Sequence, residues 1–337
     1  MHIQEKVSLK PYNTFGIDVP ASHFLEVRSV EELREALERK DLPTPFVLSG
    51  GSNILLTAPL QALVLYINIP GKEVIREEGG EVVVRAMAGE NWHDLVLWSL
   101  QQGYGGLENL ALIPGKAGTA PIQNIGAYGV ELKDVFEACT AMEIATGTLH
   151  RFDRESCRFG YRDSFFKQEG KGRFVIVSLE LRLTQEKHRL STSYGAIEGA
   201  LKSRGISDPA PMDVAEAVIG IRREKLPDPA QLGNSGSFFK NPVIPASQFD
   251  KLRVRHPGLP GYPQGEDFIK VPAGWLIEQC GLKGYRRGDA GVHKKQALVL
   301  VNYGKASGED ILQLARHIQQ TVEREFSIAL QPEVNII

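Results

Sequence analysis

The stretch Pro45-Phe-Val-Leu-Ser-Gly-Gly-Ser-Asn53 runs from an apolar strand directly into two glycines and two polar residues. Glycine lets successive backbone N–H groups point the same way and lets a ligand approach the chain closely. A second segment of this kind, Pro114-Gly-Lys-Ala-Gly-Thr119, lies further along the chain. Either segment could equally be an ordinary turn, but both have the chemistry of a backbone site for an anion such as a diphosphate.

Two common nucleotide-binding fingerprints are absent from the sequence. It has no Gly-x-Gly-x-x-Gly after a strand and no Gly-x4-Gly-Lys-Ser/Thr, so a bound dinucleotide would not lie in a Rossmann or P-loop cradle. The segment Pro121-Ile-Gln-Asn-Ile-Gly-Ala-Tyr-Gly129 carries almost no charge and mixes amide side chains with Gly and Tyr. Such a segment suits a flat polar heterocycle, or else forms a buried loop that satisfies itself.

Composition places the chain among ordinary globular proteins. It has 337 residues, 24% of them charged, and a formal net charge of -2, which does not favour a nucleic-acid partner. The N-terminus shows no signal-peptide pattern, and no apolar run is long enough to span a membrane, so a cytoplasmic protein is expected. The three cysteines are far apart, which predicts reduced thiols and no metal site.

Hydrophobic periodicity predicts an α+β protein with several domains. Ser29-Val-Glu-Glu32 reads as a capping box before a helix, and two strands around Gly79-Gly80 read as a hairpin. A long helix is expected over 309–326. The chain is divided into domains at 1–70, 71–226 and 227–325, followed by a C-terminal strand, 326–337.

Three places combine side chains that could do chemistry. Arg162 lies among aromatic residues in Phe159-Gly-Tyr-Arg-Asp163, where it could pair with a ligand carboxylate or simply with an aspartate. Gly233-Asn-Ser-Gly-Ser-Phe-Phe-Lys-Asn-Pro242 offers two hydroxyls on a tight backbone. Glu333 is an acid in an otherwise apolar C-terminal strand, a position where most acids are merely exposed at an edge.

Together these segments resemble the UDP-N-acetylenolpyruvoylglucosamine reductases, flavoenzymes of peptidoglycan precursor synthesis. The resemblance runs in order along nearly the whole chain. Its segments are Asn13–Gly16, Gly50–Asn53, Ile113–Gly115, Pro121–Gly129, Gly160–Ser164, Lys225–Pro229, Gly233–Pro242, Gln296–Leu300 and Gln331–Val334. Each is weak alone, but nine in order are specific. Lys225-Leu-Pro-Asp-Pro229 and Tyr262-Pro-Gln264 resemble the longer subclass of the family, which has a tyrosine loop.

The resemblance implies a two-part FAD-binding fold of the PCMH type, formed by the first two domains, and a third α/β domain for the substrate. FAD would be bound non-covalently, NADPH would be the reductant, and the protein is expected to be a monomer. The residues implied in FAD binding are Gly50, Gly51, Ser52, Asn53, Gly115, Gly118, Thr119, Gln123, Asn124, Gly126, Ala127 and Tyr128. Those implied in binding the UDP-sugar are Tyr194, Lys225, Asn241, Tyr262 and Gln296.

The resemblance also implies three catalytic residues. Arg162 would bind the substrate carboxylate, and Ser237 would protonate the substrate carbon after hydride transfer. Lys225 or a water could return the proton to Ser237. Glu333 is expected to be neutral, because an ionised carboxylate would repel the negative charge that develops on the substrate.

Two positions depart from the family pattern. Lys116 stands where a small or apolar residue is usual, and it adds positive charge to the second glycine-rich loop. Ser235 is a second hydroxyl two residues before Ser237, and only the spacing to Phe238-Phe-Lys-Asn-Pro242 favours Ser237.

Two other functions compete with the reductase. One is a flavin oxidase with the same type of FAD-binding fold. The other is a nucleotide-sugar-binding protein or transferase without a redox cofactor, which would be colourless when purified.

Overall fold

The computed structural model describes all 337 residues. The helices are α1 (Val30–Glu38), α2 (Trp92–Gln101), α3 (Arg154–Cys157), α4 (Ile197–Ser203), α5 (Pro211–Lys225), α6 (Ala246–Arg255), α7 (Ala273–Gln279) and α8 (Gly308–Phe326). The strands of the first half are β1 (Gln4–Ser8), β2 (Pro20–Val27), β3 (Pro45–Leu48), β4 (Ile54–Leu55), β5 (Leu60–Ile67), β6 (Lys72–Glu78), β7 (Glu81–Met87), β8 (Gly126–Ala127), β9 (Val130–Glu131), β10 (Phe136–Glu143), β11 (Leu149–Asp153) and β12 (Phe174–Thr184). Those of the second half are β13 (Gly233–Ser237), β14 (Val243–Pro245), β15 (Tyr262–Pro263), β16 (Phe268–Lys270), β17 (Arg286–Arg287), β18 (Ala290–Val292), β19 (Val299–Asn302) and β20 (Asn335–Ile336).

The chain forms two compact units. Unit 1 comprises Met1–Val7, Ala21–Gly50 and Gln61–Glu224. Unit 2 comprises Ser8–Pro20, Gly51–Leu60 and Lys225–Ile337. Two short segments from the first sixty residues therefore belong with the C-terminal third. The functional division at 70, 226 and 325 stays a prediction.

Unit 1 contains two large sheets and the short two-stranded sheet β8-β9. The first has the order β1-β2-β5-β3, and its strands β3 and β5 run parallel. The second is β11-β10-β12-β7-β6, in which every neighbouring pair is antiparallel. Two apolar clusters fill the unit. One joins Leu33 and Leu65 to Val177 of the second sheet, and the other contains Trp92 and Leu179 and extends to Ile221 of α5. Unit 1 thus has two cores, and the second sheet contributes to both.

Local signals in the sequence explain several elements of unit 1. Gly79 and Gly80 both have positive φ and join β6 to β7, which confirms the predicted hairpin. Ser29 caps α1 by accepting a hydrogen bond from the Glu32 N–H at 3.0 Å. The predicted reciprocal bond is wrong: the Glu32 carboxylate accepts from the Arg28 N–H at 2.7 Å, one residue earlier than a capping box requires.

Unit 2 is built around the antiparallel sheet β13-β19-β18-β17. The predicted long helix is confirmed as α8, with Ser307 and Asp310 forming a capping box at its start. Its buried stripe is the predicted one: Ile311, Leu314, Ala315, Ile318, Val322 and Phe326. The smaller sheet β14-β16-β15 carries Tyr262 on its edge strand.

The C-terminus of unit 2 pairs with a distant segment. Strand β20 runs parallel to β4, with Asn335 opposite Ile54. The strand begins two residues after Glu333, so the prediction that Glu333 lies within the strand is wrong. None of the eight helices combines the length and the apolar character that crossing a membrane would require.

Candidate active site

The first glycine-rich loop begins where β3 ends in unit 1. A Cβ atom on Gly50 would lie 2.8 Å from the Cα of Gly115 and 3.3 Å from the backbone nitrogen of Lys116. Only glycine allows this approach, so both predicted anion loops meet here at backbone level. The hydroxyl of Ser49 is buried and has no hydrogen-bond partner in the protein.

The loop continues in unit 2 with Gly51, Ser52 and Asn53. Gly51 has a φ of +58°, and a Cβ there would lie 2.1 Å from the carbonyl oxygen of Tyr12. Asn53 is tied to the C-terminal segment, because its Nδ2 donates to the carbonyl oxygen of Glu333 at 3.3 Å. Two of the predicted site segments of unit 2 therefore lie side by side.

The second loop, Pro114–Thr119, is fixed by backbone hydrogen bonds within unit 1. The N–H groups of Ala117 and Gly118 donate to the carbonyls of Glu90 and Ala88 at 2.9 and 3.1 Å. A Cβ on Gly118 would lie 2.5 Å from that of Ala88, so this glycine is also required by close packing. The Thr119 hydroxyl donates to the Lys116 carbonyl at 2.8 Å and thus helps to hold the turn.

Asn124 organises the predicted heterocycle segment, Pro121–Gly129. Its side chain is fully buried; Nδ2 donates to the carbonyl of Gly160 at 3.0 Å and to Glu131, and Oδ1 accepts from the Lys133 N–H at 3.0 Å. These bonds satisfy the amide within the protein. Among the other predicted residues, Gln123 accepts a bond from Lys167 at 3.3 Å, whereas Gly126 and Ala127 form β8.

Arg162 is held against this same segment. It has a left-handed backbone, with φ at 53°, a conformation that is uncommon outside glycine and asparagine. Its guanidinium donates to the Gly126 carbonyl at 2.7 Å, and the Lys167 ammonium donates to the Arg162 carbonyl at 2.8 Å. Both the backbone and the side chain of Arg162 are therefore anchored in unit 1.

The two competing serines of unit 2 have different surroundings. Ser235 is 6% exposed, and its hydroxyl donates to the Ile54 carbonyl at 3.2 Å. Ser237 is exposed at the end of β13, opposite Val299 of β19. The pairing register shifts between Asn234 and Ser237, which marks an irregularity where the strand turns its last hydroxyl outward.

Glu333 is brought next to this serine within unit 2. Its N–H donates to the carbonyl of Phe238, the residue after Ser237, at 2.8 Å. Phe239 and Pro332 form an isolated β-bridge beside that bond. Two of the three predicted catalytic residues thus share one backbone-paired region, whereas Arg162 belongs to unit 1.

The predicted substrate residues are also divided between the units. In unit 1, Tyr194 is exposed and meets the ring of Tyr128 edge-on, with 6.5 Å between ring centroids. In unit 2, Asn241 and Gln296 each lie close to the first turn of α7. Asn241 Oδ1 accepts from the Ala273 N–H at 3.0 Å, and a Cβ on Gly274 would lie 3.2 Å from Gln296 Oε1. Lys225 and Tyr262 are exposed.

Arg222 is a notable residue that the sequence predictions missed. Its Nε is buried without a partner, on the helix that carries Val218 and Ile221. Burial lowers the pKa of this guanidinium; Tyr128 opposes the shift, and the positive charge of Arg162 adds to it. An arginine four residues after the buried Val218 was the available signal, since positions i and i+4 share a helix face.

Comparisons with known proteins match this architecture. Residues 228–337 match the C-terminal domain model of UDP-N-acetylenolpyruvoylglucosamine reductase, and residues 21–153 match an FAD binding domain model. A UDP-N-acetylenolpyruvoylglucosamine reductase of Flavobacterium johnsoniae is 52% identical, over 100% of both chains. One of Pseudomonas aeruginosa is 51% identical, over 100% of this chain and 99% of its own.

Solved structures agree at the level of the fold. The UDP-N-acetylenolpyruvylglucosamine reductase of Thermus caldophilus is 26% identical with a TM-score of 0.69, covering 100% of this chain and 99% of its own. A VAO-type flavoprotein of Myceliophthora thermophila is 14% identical with a TM-score of 0.50, covering 91% of this chain and 70% of its own, and it shows the fold alone. The predicted α+β class and PCMH-type FAD-binding fold are confirmed. With half of its residues identical to such relatives over its entire length, the chain belongs to the UDP-N-acetylenolpyruvoylglucosamine reductase family.

Proposed function

We propose that this protein uses NADPH and FAD to reduce UDP-N-acetylglucosamine enolpyruvate to UDP-N-acetylmuramate for peptidoglycan synthesis. Family membership over the full chain supports the reaction. The observation that carries the catalytic assignment is the difference between the two serines: Ser235 is buried and bonded, whereas Ser237 is exposed beside the Glu333 segment.

The residues of the two glycine-rich loops fit FAD. Gly50 and Gly118 leave no room for a Cβ because each packs against other protein atoms, and this packing fixes the backbone course of both loops. The buried, unpartnered Ser49 hydroxyl is a further donor in the same loop. When bound, FAD would accept a hydride from NADPH and pass it to the enolpyruvyl methylene carbon. The predicted contacts along the cofactor continue through Gln123, Gly126, Ala127 and Tyr128.

Arg162 would bind the substrate carboxylate. As hydride reaches the methylene carbon, negative charge builds on the neighbouring carbon that bears this carboxylate. A guanidinium can meet a carboxylate through two parallel hydrogen bonds. Its bond to the Gly126 carbonyl and its constrained backbone support this role, because they hold the cation in place before the substrate arrives.

Ser237 would donate the proton that completes the reduction. A serine is a weak acid, but a carbanion or enolate is basic enough to accept a proton from a well-placed weak donor. The backbone of Ser237 is paired with Val299, and the next two residues, Phe238 and Phe239, are buried, so the exposed hydroxyl projects from a fixed main chain. Lys225 or a water would return the proton to Ser237.

Glu333 would stay neutral and donate a hydrogen bond to the developing negative charge. Its backbone is fixed on both sides, since its N–H donates to Phe238 and its carbonyl accepts from Asn53. An ionised carboxylate in this position would oppose the charge that Arg162 stabilises. The nucleotide sugar would be bound by Tyr194 and Lys225, which precede the substrate domain, and by Asn241, Tyr262 and Gln296 within it. This domain spans 227–325, and its tyrosine loop resembles that of the longer subclass.

An anaerobic absorbance experiment tests the function. The purified protein should be yellow, NADPH should bleach the flavin, and the enolpyruvyl substrate should then restore the colour. An oxidase would instead be reoxidised rapidly by air and not by this substrate, and a binding protein would be colourless. A cytoplasmic location and a monomeric state remain part of the proposal.

A further inference from the structure

Lys116 occupies the junction of the two glycine-rich loops of unit 1. Its backbone nitrogen is 3.3 Å from the position that a Cβ on Gly50 would take, and Gly115 is closer still. The residue is therefore part of the backbone contact on which the diphosphate site depends. The family resemblance implies a small or apolar residue at this position.

The Lys116 side chain turns towards the end of strand β5. Its ammonium donates to Asn68 Oδ1 at 2.7 Å and to the Ile67 carbonyl at 3.1 Å, and it lies 4.1 Å from the ring centroid of Tyr66. Tyr66 is paired with Leu48, the last residue of β3. One side chain thus ties the second loop to the strand ends from which the first loop begins.

The charge of Lys116 is incompletely balanced by the groups around it. The carboxylate facing it is Glu26 on β2, which accepts from Asn68 Nδ2 at 2.6 Å and is paired with Arg28 at 2.9 Å. Glu26 therefore reaches the ammonium only through an amide, and Tyr66 is the titratable neighbour on β5. Burial lowers the pKa of Lys116 to about 8, against the attraction of Glu26.

We propose that Lys116 is a positioning residue for FAD: it holds the Pro114–Thr119 loop against the strand ends, and its positive charge favours the cofactor diphosphate. This inference rests on the proposed function, because it requires this loop to face the diphosphate. An anion close to a buried ammonium favours the charged form and raises its pKa. FAD binding must then take up a proton wherever Lys116 is neutral in the free protein and charged in the complex.

The sign of the pH dependence follows. At about pH 7 and below, one unit under the pKa of about 8, Lys116 is charged in both states and the affinity for FAD is constant. As the pH rises above this value, the free protein loses the proton first, so the affinity falls. We expect the Kd for FAD to rise about fivefold to tenfold between roughly pH 7 and pH 9.5, which lies below the roughly 30-fold limit that linkage to a single proton sets over this range.

Two substitutions separate charge from packing. Lys116→Met removes the charge and both hydrogen bonds, so its Kd should be about fivefold higher near neutral pH and should not change with pH. Lys116→Arg stays charged at every pH used, so it should bind FAD tightly and without pH dependence. The Kd is measured by titrating FAD into apoprotein and following the quenching of flavin fluorescence, with circular dichroism to check folding.

Lys171→Met is the control, because Lys171 is exposed on the same unit and should leave both the Kd and its pH dependence unchanged. A pH slope in Lys116→Met equal to that of the unmodified protein would overturn the proposal, as would a flat profile in the unmodified protein. If Lys116→Met fails to fold, the pH dependence of the Kd in Lys116→Arg decides the question. A flat profile supports the proposal, and a profile like that of the unmodified protein overturns it. A protein that binds FAD with this profile but does not reduce the enolpyruvyl substrate would disprove the proposed function and leave this inference standing. Absence of FAD binding would overturn both.

Discussion

The segment Pro121–Gly129 of unit 1 and the strand Gly233–Ser237 of unit 2 are both rich in glycine and polar residues, yet they use them in opposite ways. In unit 1 the Asn124 side chain makes its hydrogen bonds to neighbouring protein groups, and these bonds fix the backbone around it. In unit 2 main-chain bonds do the fixing, from Phe238 to Leu298 and from Glu333 to Phe238, and the Ser237 hydroxyl stays exposed. A polar side chain therefore fixes the main chain in the first segment, whereas main-chain bonds leave a side-chain hydroxyl exposed in the second.

Ser237→Ala tests the chemical side of this contrast and should have the largest effect. Loss of the proton donor should slow reoxidation of the reduced flavin by substrate by roughly 10²–10⁴-fold. Flavin reduction by NADPH should be unchanged, because no proton from Ser237 is needed in that half. Stopped-flow absorbance measures both half-reactions separately.

Ser235→Ala is the matched control, since its hydroxyl is bonded to the Ile54 carbonyl. It should cost some stability and leave substrate-driven reoxidation within a few-fold of the unmodified rate. Equal slowing of the two half-reactions in Ser237→Ala, or a larger loss in Ser235→Ala, would show that the wrong serine has been assigned.

Substitutions of Glu333 test whether its side chain acts as a hydrogen-bond donor or only as a charge. Glu333→Ala should lower the rate of substrate reduction by roughly 10²–10³-fold, as for other lost donors to a developing negative charge. Glu333→Gln keeps a donor and should retain much of the activity. If Glu333→Gln reduces the substrate as slowly as Glu333→Ala does, Glu333 does not act as a neutral hydrogen-bond donor.

Part of this arrangement could be predicted from the sequence, and the limits have physical causes. Helix α8 was predicted with its whole buried stripe, because a 3.6-residue period is a local signal. The sequence could not predict that unit 2 also includes Ser8–Pro20 and Gly51–Leu60. That placement depends on long-range pairs such as Asn335 with Ile54. Likewise, family spacing selected Ser237, but only the structure shows that the Ser235 hydroxyl is already bonded.

Gly50→Ala tests the backbone side of the contrast. The added methyl would lie 2.8 Å from the Gly115 Cα, and the backbone of neither loop can yield without moving the other. Overpacking of this kind costs about 1–3 kcal/mol. The free protein can relieve it by moving the loops apart, and realigning them to bind FAD would restore the cost, which corresponds to roughly a 5-fold to 150-fold weaker affinity. Isothermal titration of apoprotein with FAD measures the change.

Gly199→Ala is the matched control for that substitution. Gly199 is exposed in α4, its added Cβ would meet nothing within 4 Å, and its φ is not positive. It should bind FAD normally and gain roughly 0.5–1 kcal/mol of stability from the lower entropy of the unfolded chain. An FAD affinity that is unchanged in Gly50→Ala would show that the two loops do not form the diphosphate site.

The smallest expected effect lies on the five-stranded sheet of unit 1, where Arg85 and Arg151 both bond the buried carboxylate of Glu180. Burial alone would raise the pKa of Glu180, but hydrogen bonds from Arg151 and Arg85 outweigh it and leave the pKa below its ordinary value. A lowered carboxyl pKa contributes stability at pH values above the unfolded-state pKa, and that stability is lost as the pH falls through the folded-state pKa.

Glu180→Gln should therefore reduce the free energy of unfolding by about 1 kcal/mol near neutral pH, once solvent screening of the two arginines is allowed for. The difference from the unmodified protein should shrink below about pH 4, as urea denaturation at several pH values would show. Glu73→Gln, an exposed partner of Arg85 in the same row of charges, should change stability by less than about 0.5 kcal/mol. An equal pH dependence in Glu180→Gln and the unmodified protein would mean that this carboxylate adds nothing to the acid stability of the sheet.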